Sequence, residues 1–115
     1  MAKYKVVLVP FPFDDLSSSK VRPAVCLTEP IGQYRHVVLA FITSKIPEEL
    51  LDSDILIATD DEGFEASGLR VSSTVRLHRM MTATVNIIQR ELGQLSEEKQ
   101  EIIRSRLKVL FSLAE

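Results

Sequence analysis

The chain has 115 residues, 45% of them hydrophobic and 26% charged, with a formal net charge of −2. These values are ordinary for a soluble globular protein and allow one domain, residues 1–115, with a single modest core. The sequence shows no apolar run long enough to span a membrane and no signal-peptide pattern, and its one cysteine excludes an internal disulfide bond. These features predict a cytoplasmic protein without a membrane segment.

Acidic residues are concentrated in one segment of the chain. Ile46–Glu65 contains eight Asp and Glu residues and no Lys or Arg. Without this segment the chain has 14 basic and 8 acidic residues, a net charge of +6. The basic remainder could bind phosphate groups locally, although ordinary solvated surface accounts for the same distribution.

Hydrophobic patterning predicts five or six β-strands. The runs are rich in β-branched and aromatic residues and are bounded by proline, glycine or polar clusters. The predicted strands are Tyr4–Phe11, Val21–Thr28, Val37–Thr43, Asp54–Thr59, Ser72–Arg79 and Val85–Leu92. Pro10 and Pro12 are expected to close the first strand. Pro47–Leu51 is expected to form one helical turn and Asp60–Gly68 a loop.

A C-terminal helix is predicted to begin after Ser96. The Ser96 hydroxyl can accept a hydrogen bond from a backbone N–H of the first turn, and Glu97 and Glu98 suit the positive end of a helix. Apolar residues then recur at helical spacing, at Ile103, Leu107, Leu110 and Ala114. The sequence therefore predicts a small antiparallel barrel or sandwich followed by one helix.

The second and third predicted strands bring together two polar side chains. If they form an antiparallel hairpin centred between Gly32 and Gln33, paired residue numbers sum to 65, and Arg22 lies opposite Thr43. A guanidinium group and a hydroxyl group would then share the open end of the sheet, beside the polar loop Asp14–Lys20. This pair suits a phosphate, because arginine offers a bidentate fork and the hydroxyl adds a hydrogen bond.

Several stretches resemble the MazF/PemK family of toxin endoribonucleases. The sequence VVLVPFPFDDLSSSKVRPAV, which begins at Val6, is similar to the family's N-terminal signature. Further motifs follow in the family's order: Phe41–Ser44, Gly68–Leu69, Ser73–Leu77 and the C-terminal helix. Arg22-Pro23, after a serine-rich loop, is the most specific part together with Ile42–Ser44. Tyr4-Lys5 departs from the Gly-Asp pair that often begins the first strand.

The resemblance implies an SH3-like barrel with an added helix, which works as a homodimer and is neutralised by a cognate antitoxin. It implies metal-independent, sequence-selective cleavage of single-stranded RNA by 2′-hydroxyl attack, with a 2′,3′-cyclic phosphate as product and no cofactor. By position, Arg22 and Thr43 are the catalytic candidates. The supporting RNA-binding candidates are Ser17, Ser18, Ser19, Lys20, Ser44 and Arg76. The acidic segment Ile46–Glu65 would direct RNA toward the basic surface by repulsion.

Two non-catalytic alternatives stay open on the sequence alone. A gyrase-binding toxin of the CcdB type has a similar fold, and a degenerate toxin could bind RNA or antitoxin without cutting. The pairing of Arg22 with Thr43 favours the nuclease, since a gyrase binder has no chemical reason to pair them.

The remaining reactive residue types are predicted to have structural or surface roles. His36 and His78 stand in separate segments, and Cys26 lies between two apolar residues. The sequence contains no Cys/His cluster, HExxH motif or glycine-rich nucleotide loop, so no metal or cofactor is predicted.

Overall fold

Six antiparallel strands and two helices form the part of the chain that the structure, a computed structural model, describes: residues 2–11 and 20–113, without the side chain of Phe11. The strands are β1 (Lys5–Phe11), β2 (Lys20–Cys26), β3 (His36–Thr43), β4 (Asp54–Ile57), β5 (Ser73–Thr84) and β6 (Arg90–Gln94). The helices are α1 (Phe64–Ser67) and α2 (Glu97–Leu110), and a 3₁₀ turn covers Val85–Ile87.

The strands form one sheet in the order β4-β5-β3-β2-β1-β6, and neighbouring strands are antiparallel throughout. The sheet curls into a half-barrel, and α2 packs against one of its faces. The predicted fold class, a mainly β protein built as a small antiparallel barrel with a terminal helix, is therefore confirmed.

Alternate residues of the strands point to opposite faces of the sheet, and each face carries its own apolar cluster. The helix face packs against α2 and includes Val25, Ile42, Val75, Leu77 and Ile103. The far face includes Val7, Val9, Ala24, Cys26, Val37 and Leu39. Burying one such aliphatic side chain contributes about 1.5–3 kcal/mol, so both faces stabilise the fold. The predicted burial of Cys26 is confirmed.

Helix α2 begins where its capping residue predicts. The Ser96 hydroxyl accepts a hydrogen bond from the backbone N–H of Lys99 at 3.3 Å, and Glu97 and Glu98 occupy the first turn. Ile103 is fully buried against the sheet. A local cap and an apolar stripe therefore suffice to place this element.

The hairpin between β2 and β3 has the predicted register over its bonded length. The paired residue numbers sum to 65 in all three pairs: Ala24–Phe41, Val25–Ala40 and Cys26–Leu39. The pair predicted between Arg22 and Thr43 lies two residues beyond the last of these. The register is therefore confirmed up to the edge of the candidate site.

The tip of this hairpin lies one residue later than predicted. Ile31 forms an isolated bridge with His36, so the paired numbers there sum to 67. The turn is closed by the backbone N–H of Arg35, which donates to the Gly32 carbonyl at 3.2 Å. The extra residues fall next to Pro30, which has no N–H to give to the ladder.

β1 ends at Phe11, as predicted, whereas β5 extends beyond its predicted end. β1 continues through Pro10, which pairs with Val21 of β2, whereas pairing with β6 stops at Leu8. Pro10, which has no N–H to donate, thus lies where β1 is paired with β2 but no longer with β6. β5 continues to Thr84, and the predicted strand Val85–Leu92 is a 3₁₀ turn followed by β6.

Pro47–Leu51 does not form the predicted helical turn. The backbone N–H of Leu51 donates to the Asp54 carboxylate at 2.8 Å, and the Asp54 N–H donates to the Leu51 carbonyl at 2.9 Å. A side-chain turn built on Asp54 therefore replaces the helical hydrogen bonds.

The predicted loop Asp60–Gly68 contains helix α1, which packs closely on β6. A Cβ atom on Gly68 would overlap the Leu92 carbonyl, and Gly68 has a left-handed φ of 77°. A Cβ atom on Gly93 would overlap the carbonyl of Ala66. Both glycines are needed for a contact between segments that are distant in sequence.

Candidate functional site

Arg22 and Thr43 extend from the far face at the ends of neighbouring strands. Arg22 pairs with Val9 and follows the same alternation as Ala24, and both of these residues belong to the far-face cluster. Thr43 stands two residues after Phe41, which packs against that cluster. The two candidate catalytic residues therefore share one face at the open end of the hairpin.

Arg22 combines a partly exposed side chain with a shielded charge. The residue has intermediate exposure, while its Nε atom is inaccessible to solvent. An anion that reaches this guanidinium would meet it in a medium of lower dielectric than water, where the attraction is stronger.

The Thr43 hydroxyl is held by the chain that follows it. Its Oγ1 accepts a hydrogen bond from the backbone N–H of Lys45 at 3.1 Å. Within residues 2–11 and 20–113 the hydroxyl makes no second hydrogen bond. The bond from Lys45 uses one of the two lone pairs of the oxygen, and the hydroxyl proton can be donated to an oxygen of a ligand.

Thr74 of β5 lies directly opposite Thr43 and differs from it in access. Thr74 is fully buried, and its hydroxyl has no hydrogen-bond partner among the residues that the structure describes. Only Thr43 of this threonine pair can therefore reach a ligand from solvent.

A groove of about 490 Å³ opens beside Thr43. Its described walls are Phe41, Thr43, Lys45, Ile46, Pro47, Glu48, Arg76 and Arg79. Three of these side chains are cationic and one is anionic, so the groove itself favours anions. We call it the basic groove.

Arg76, one of the predicted supporting residues, is fixed in this groove by a buried carboxylate. Its Nε atom donates to Asp54 Oδ1 at 2.8 Å. The Asp54 side chain is fully shielded from solvent, and its other oxygen accepts the Leu51 N–H. Both carboxylate oxygens are thus engaged, and the guanidinium has one fixed anchor.

Arg79 reaches the basic groove because β5 bulges. Ala40 pairs with Met80 and Phe41 with Arg76, so three β5 residues between these pairs have no partner on β3. The Arg79 guanidinium lies over the Phe41 ring, 5.7 Å from its centroid, in a cation–π contact. The sequence analysis does not predict a role for Arg79. The only signal for it in the sequence is its Arg-x-x-Arg spacing from Arg76.

The other predicted supporting residues have simpler positions. Lys20 and Ser44 are exposed, at the start of β2 and directly after Thr43. Ser17, Ser18 and Ser19, with the rest of the loop Asp14–Ser19, lie outside the described residues.

The acidic segment Ile46–Glu65 is partly structural. Asp54 is buried against Arg76, and the Asp61 carboxylate lies 3.0 Å from the Lys99 ammonium of α2. A hydrogen bond from the Ala58 backbone N–H, followed by one from Lys99, lowers the pKa of Asp61 below its ordinary value. The segment therefore anchors neighbouring elements as well as carrying exposed charge.

Cys26, His36 and His78 are placed as the sequence predicts. Burial raises the pKa of the Cys26 thiol to about 11, with smaller contributions from Glu29 and Glu91. A thiol of that pKa is a poor nucleophile at neutral pH. His36 is exposed at the far end of β3 from Thr43, and His78 is exposed and does not line the basic groove.

Within the described ranges, no group of three or more His, Cys, Asp and Glu residues is arranged to hold a metal ion. None of the helices in those ranges is long and apolar enough to cross a membrane.

Solved structures share this fold over nearly the whole chain. The Mycobacterium tuberculosis toxin MazF-mt6 is similar with a TM-score of 0.73 and 19% identity, over 96% of this chain and 99% of that chain. An endoribonuclease in complex with its cognate antitoxin, from Mycobacterial species, gives a TM-score of 0.71 and 14% identity, over 100% and 98%. An endoribonuclease from Mycobacterial species gives 0.72 and 14%, over 100% and 94%.

At these identities the likeness to solved structures shows the fold alone. No curated protein matches the chain. The family model described as "PemK-like, MazF-like toxin of type II toxin-antitoxin system" matches residues 2–111. The chain therefore belongs to the PemK/MazF-like toxins of type II toxin–antitoxin systems, a family known as endoribonucleases.

Proposed function

We propose that this toxin cleaves single-stranded RNA by transesterification, with Arg22 and Thr43 as its catalytic residues. The ribose 2′-oxygen attacks the adjacent phosphorus while the P–O5′ bond breaks. The 2′-proton is released and the 5′-oxygen leaves as a hydroxyl, so the products are a 2′,3′-cyclic phosphate and a 5′-hydroxyl. No water is consumed in this step. The nucleophile is part of the substrate, and DNA lacks it.

The observation that carries this proposal is the register of β2 and β3. Its three bonded pairs, continued in the same register beyond the end of the pairing, would make Arg22 and Thr43 the next residues to face each other on the far face. Charge develops on the non-bridging phosphate oxygens during attack, and a fixed guanidinium is suited to stabilise it.

Thr43 is assigned to binding and orienting the phosphate. Its hydroxyl accepts from Lys45, so it presents a proton to a phosphate oxygen. A neutral hydroxyl is only weakly basic, so Thr43 is a poor proton acceptor for the 2′-hydroxyl. Arg22 stays protonated and is likewise unsuited to act as a general base.

The test is cleavage of a long single-stranded RNA in excess EDTA, with both ends of each cut mapped. The wild type is expected to leave 2′,3′-cyclic phosphate and 5′-hydroxyl ends. A single 2′-deoxy substitution at a mapped nucleotide should abolish cutting there. Intact RNA with the wild type would contradict the proposal and would be the result expected of a gyrase-binding toxin.

Two substitutions test the assigned residues. Arg22→Ala should lower the cleavage rate by at least about 10³-fold, since it removes the charge and the fork that act on the transition state. Arg104→Ala is the control, because it removes an exposed arginine on α2. Thr43→Val should lower the rate by about 10²-fold. Thr74→Val makes the same chemical change at the opposite, buried residue and should leave the cleavage rate unchanged. Full cleavage by Arg22→Ala or by Thr43→Val would overturn the corresponding assignment.

The proposal includes a homodimer that acts in the cytoplasm and is neutralised by a cognate antitoxin. The antitoxin follows from the type II family and is consistent with the relative described in complex with its cognate antitoxin. Light scattering should give twice the 12.9 kDa chain mass. Growth arrest on expression should be relieved by co-expression of the antitoxin, and a monomer or unrelieved arrest would contradict this part.

A further inference from the structure

The ion pair between Arg76 and Asp54 is the feature of the basic groove that the proposed reaction does not use. Burying a carboxylate costs free energy, and the fully buried carboxylate of Asp54 has a hydrogen-bond partner at each of its two oxygens. The arginine it binds is 23% exposed and lies in the same groove as Thr43. We infer that the basic groove is a second phosphate subsite for the RNA strand, in which Asp54 aims Arg76 at the phosphate next to the scissile one. This inference rests on the proposed function.

The distance between the two positions fits neighbouring phosphates of an extended strand. Thr43 pairs with Thr74, and Arg76 follows Thr74 by two residues. Thr43 and Arg76 are therefore diagonal neighbours across the β3–β5 pair, about 7–8 Å apart, which is comparable to one nucleotide step of an extended single strand. A strand that places one phosphate at Thr43 therefore brings a neighbouring phosphate to Arg76.

The hydrogen bonds of Arg76 leave its recognition atoms available. Asp54 is bound through Nε, and within the described part of the chain Nη1 and Nη2 form no hydrogen bond. These terminal nitrogens are the donors with which arginine contacts phosphate oxygens. Asp54 is consequently a positioning residue, since its own oxygens are both occupied inside the protein.

The charges of the groove are consistent with one bound phosphate. Lys45, Arg76 and Arg79 are opposed on the groove walls by Glu48 alone. Asp54, which is bound to Arg76, adds a second negative charge to that of Glu48. The three positive and two negative charges of these residues leave a net charge of +1. Arg79 is held against Phe41 and adds a second guanidinium to the same anion.

The test measures binding separately from cleavage. The probe is a fluorescent single-stranded RNA with a 2′-fluoro group at every ribose, which cannot be cut, and its Kd is measured from 50 to 300 mM NaCl. Arg76→Ala should weaken binding about 10-fold and reduce the slope of log Kd against log salt by about 0.7, the value for one lost phosphate contact on a single strand. Arg106→Ala is the matched control, because Arg106 also contacts Asp54, through the Asp54 backbone carbonyl, but lies on α2 and does not line the basic groove.

The variant Asp54→Asn distinguishes two effects of Asp54 on RNA binding: the positioning of Arg76 and the negative charge of the carboxylate. The substitution removes a negative charge, so charge alone predicts tighter RNA binding. Positioning predicts weaker binding, because the amide keeps one acceptor oxygen and turns a donor toward either Leu51 or Arg76. Thermal unfolding must show that the variant is folded at the assay temperature; an Asp54→Asn variant that is unfolded there is assayed at a lower temperature, at which it is folded, beside the wild type.

The outcomes distinguish this inference from the proposed function. If the wild type cuts RNA but Arg76→Ala keeps the wild-type Kd and salt slope, the subsite is wrong and the reaction stands. If a folded Asp54→Asn binds the probe more tightly than the wild type, Asp54 is not a positioning residue. If the wild type binds the probe with the Arg76-dependent slope but does not cut RNA, the subsite stands and the proposed reaction fails.

Discussion

Two grooves of similar size contain basic residues that differ in their partners. The basic groove has a volume of about 490 Å³ and contains Arg76 and Arg79. The second groove, between β4 and α2, has about 570 Å³ and contains Lys99 and Arg106. We call it the helix groove.

In the helix groove the cations are bound by the protein itself. Lys99 contacts the Asp61 carboxylate and donates to the Leu56 carbonyl at 3.1 Å. Arg106 donates to the carbonyls of Asp52 and Asp54 at 2.6 and 3.1 Å. The partners that a cation already has therefore indicate, more than its location in a groove, whether it can bind a ligand.

The largest expected effect comes from Asp54, which contributes to both grooves. Asp54→Ala removes the acceptor of Arg76 Nε and of the Leu51 N–H. Loss of one partner of a buried ion pair costs about 3–5 kcal/mol, and because Arg76 is partly exposed we expect less, about 2–3 kcal/mol. Urea unfolding measures this change. A loss below about 1 kcal/mol would show that the bonds of this carboxylate to Arg76 and to the Leu51 N–H contribute little to stability.

Arg106→Ala should destabilise the helix groove without changing RNA cleavage by the folded protein. Two hydrogen bonds from a charged donor to backbone carbonyls are lost, at a cost of about 1–3 kcal/mol. Arg104→Ala is the comparison on the same helix and should destabilise less, since its pair with Glu101 is exposed and screened by solvent. The hydrogen bond that it also loses, from Arg104 to the Tyr4 hydroxyl, is long at 3.3 Å. Reduced cleavage by folded Arg106→Ala would break the distinction between the grooves.

The smallest effect is expected from the anchor of Lys99. The pKa of Asp61 is lower in the folded protein than its ordinary value of 3.8. The ionised carboxylate therefore contributes stability at pH values above 3.8, and this contribution is lost as the pH falls through the lowered folded value. The free energy of unfolding of Asp61→Asn, measured from pH 5 to pH 2, should fall less steeply than that of the wild type. Equal slopes would mean that Asp61 does not stabilise the folded state by this route.

The elements that could be predicted from the sequence are those whose determinants are local. Ser96 and the apolar stripe after it mark α2, and alternation along β2 and β3 gives the register that leads to Arg22 and Thr43. The position of Arg22 between a polar loop and a proline marks it as a candidate in the sequence.

The parts that could not be predicted depend on distant contacts. Asp54 and Arg76 are 22 residues apart, and their ion pair requires the pairing of β4 with β5. Pro47–Leu51 looked helical because the pattern does not show that Asp54 captures the Leu51 N–H. Helix α1 likewise depends on the close backbone contact at Gly68, which no local propensity reports.

The end of the ladder between β2 and β3 has a mechanical consequence. In the described part of the chain, the strand pairing of β2 with β3 ends at Ala24–Phe41, whereas the pairing of β2 with β1 continues to Lys20 and that of β3 with β5 to Thr43. The sheet therefore forks where the two proposed catalytic residues stand, one on each prong. Their separation depends on the angle of the fork, so a ligand that spreads or closes the prongs alters the site without touching either side chain.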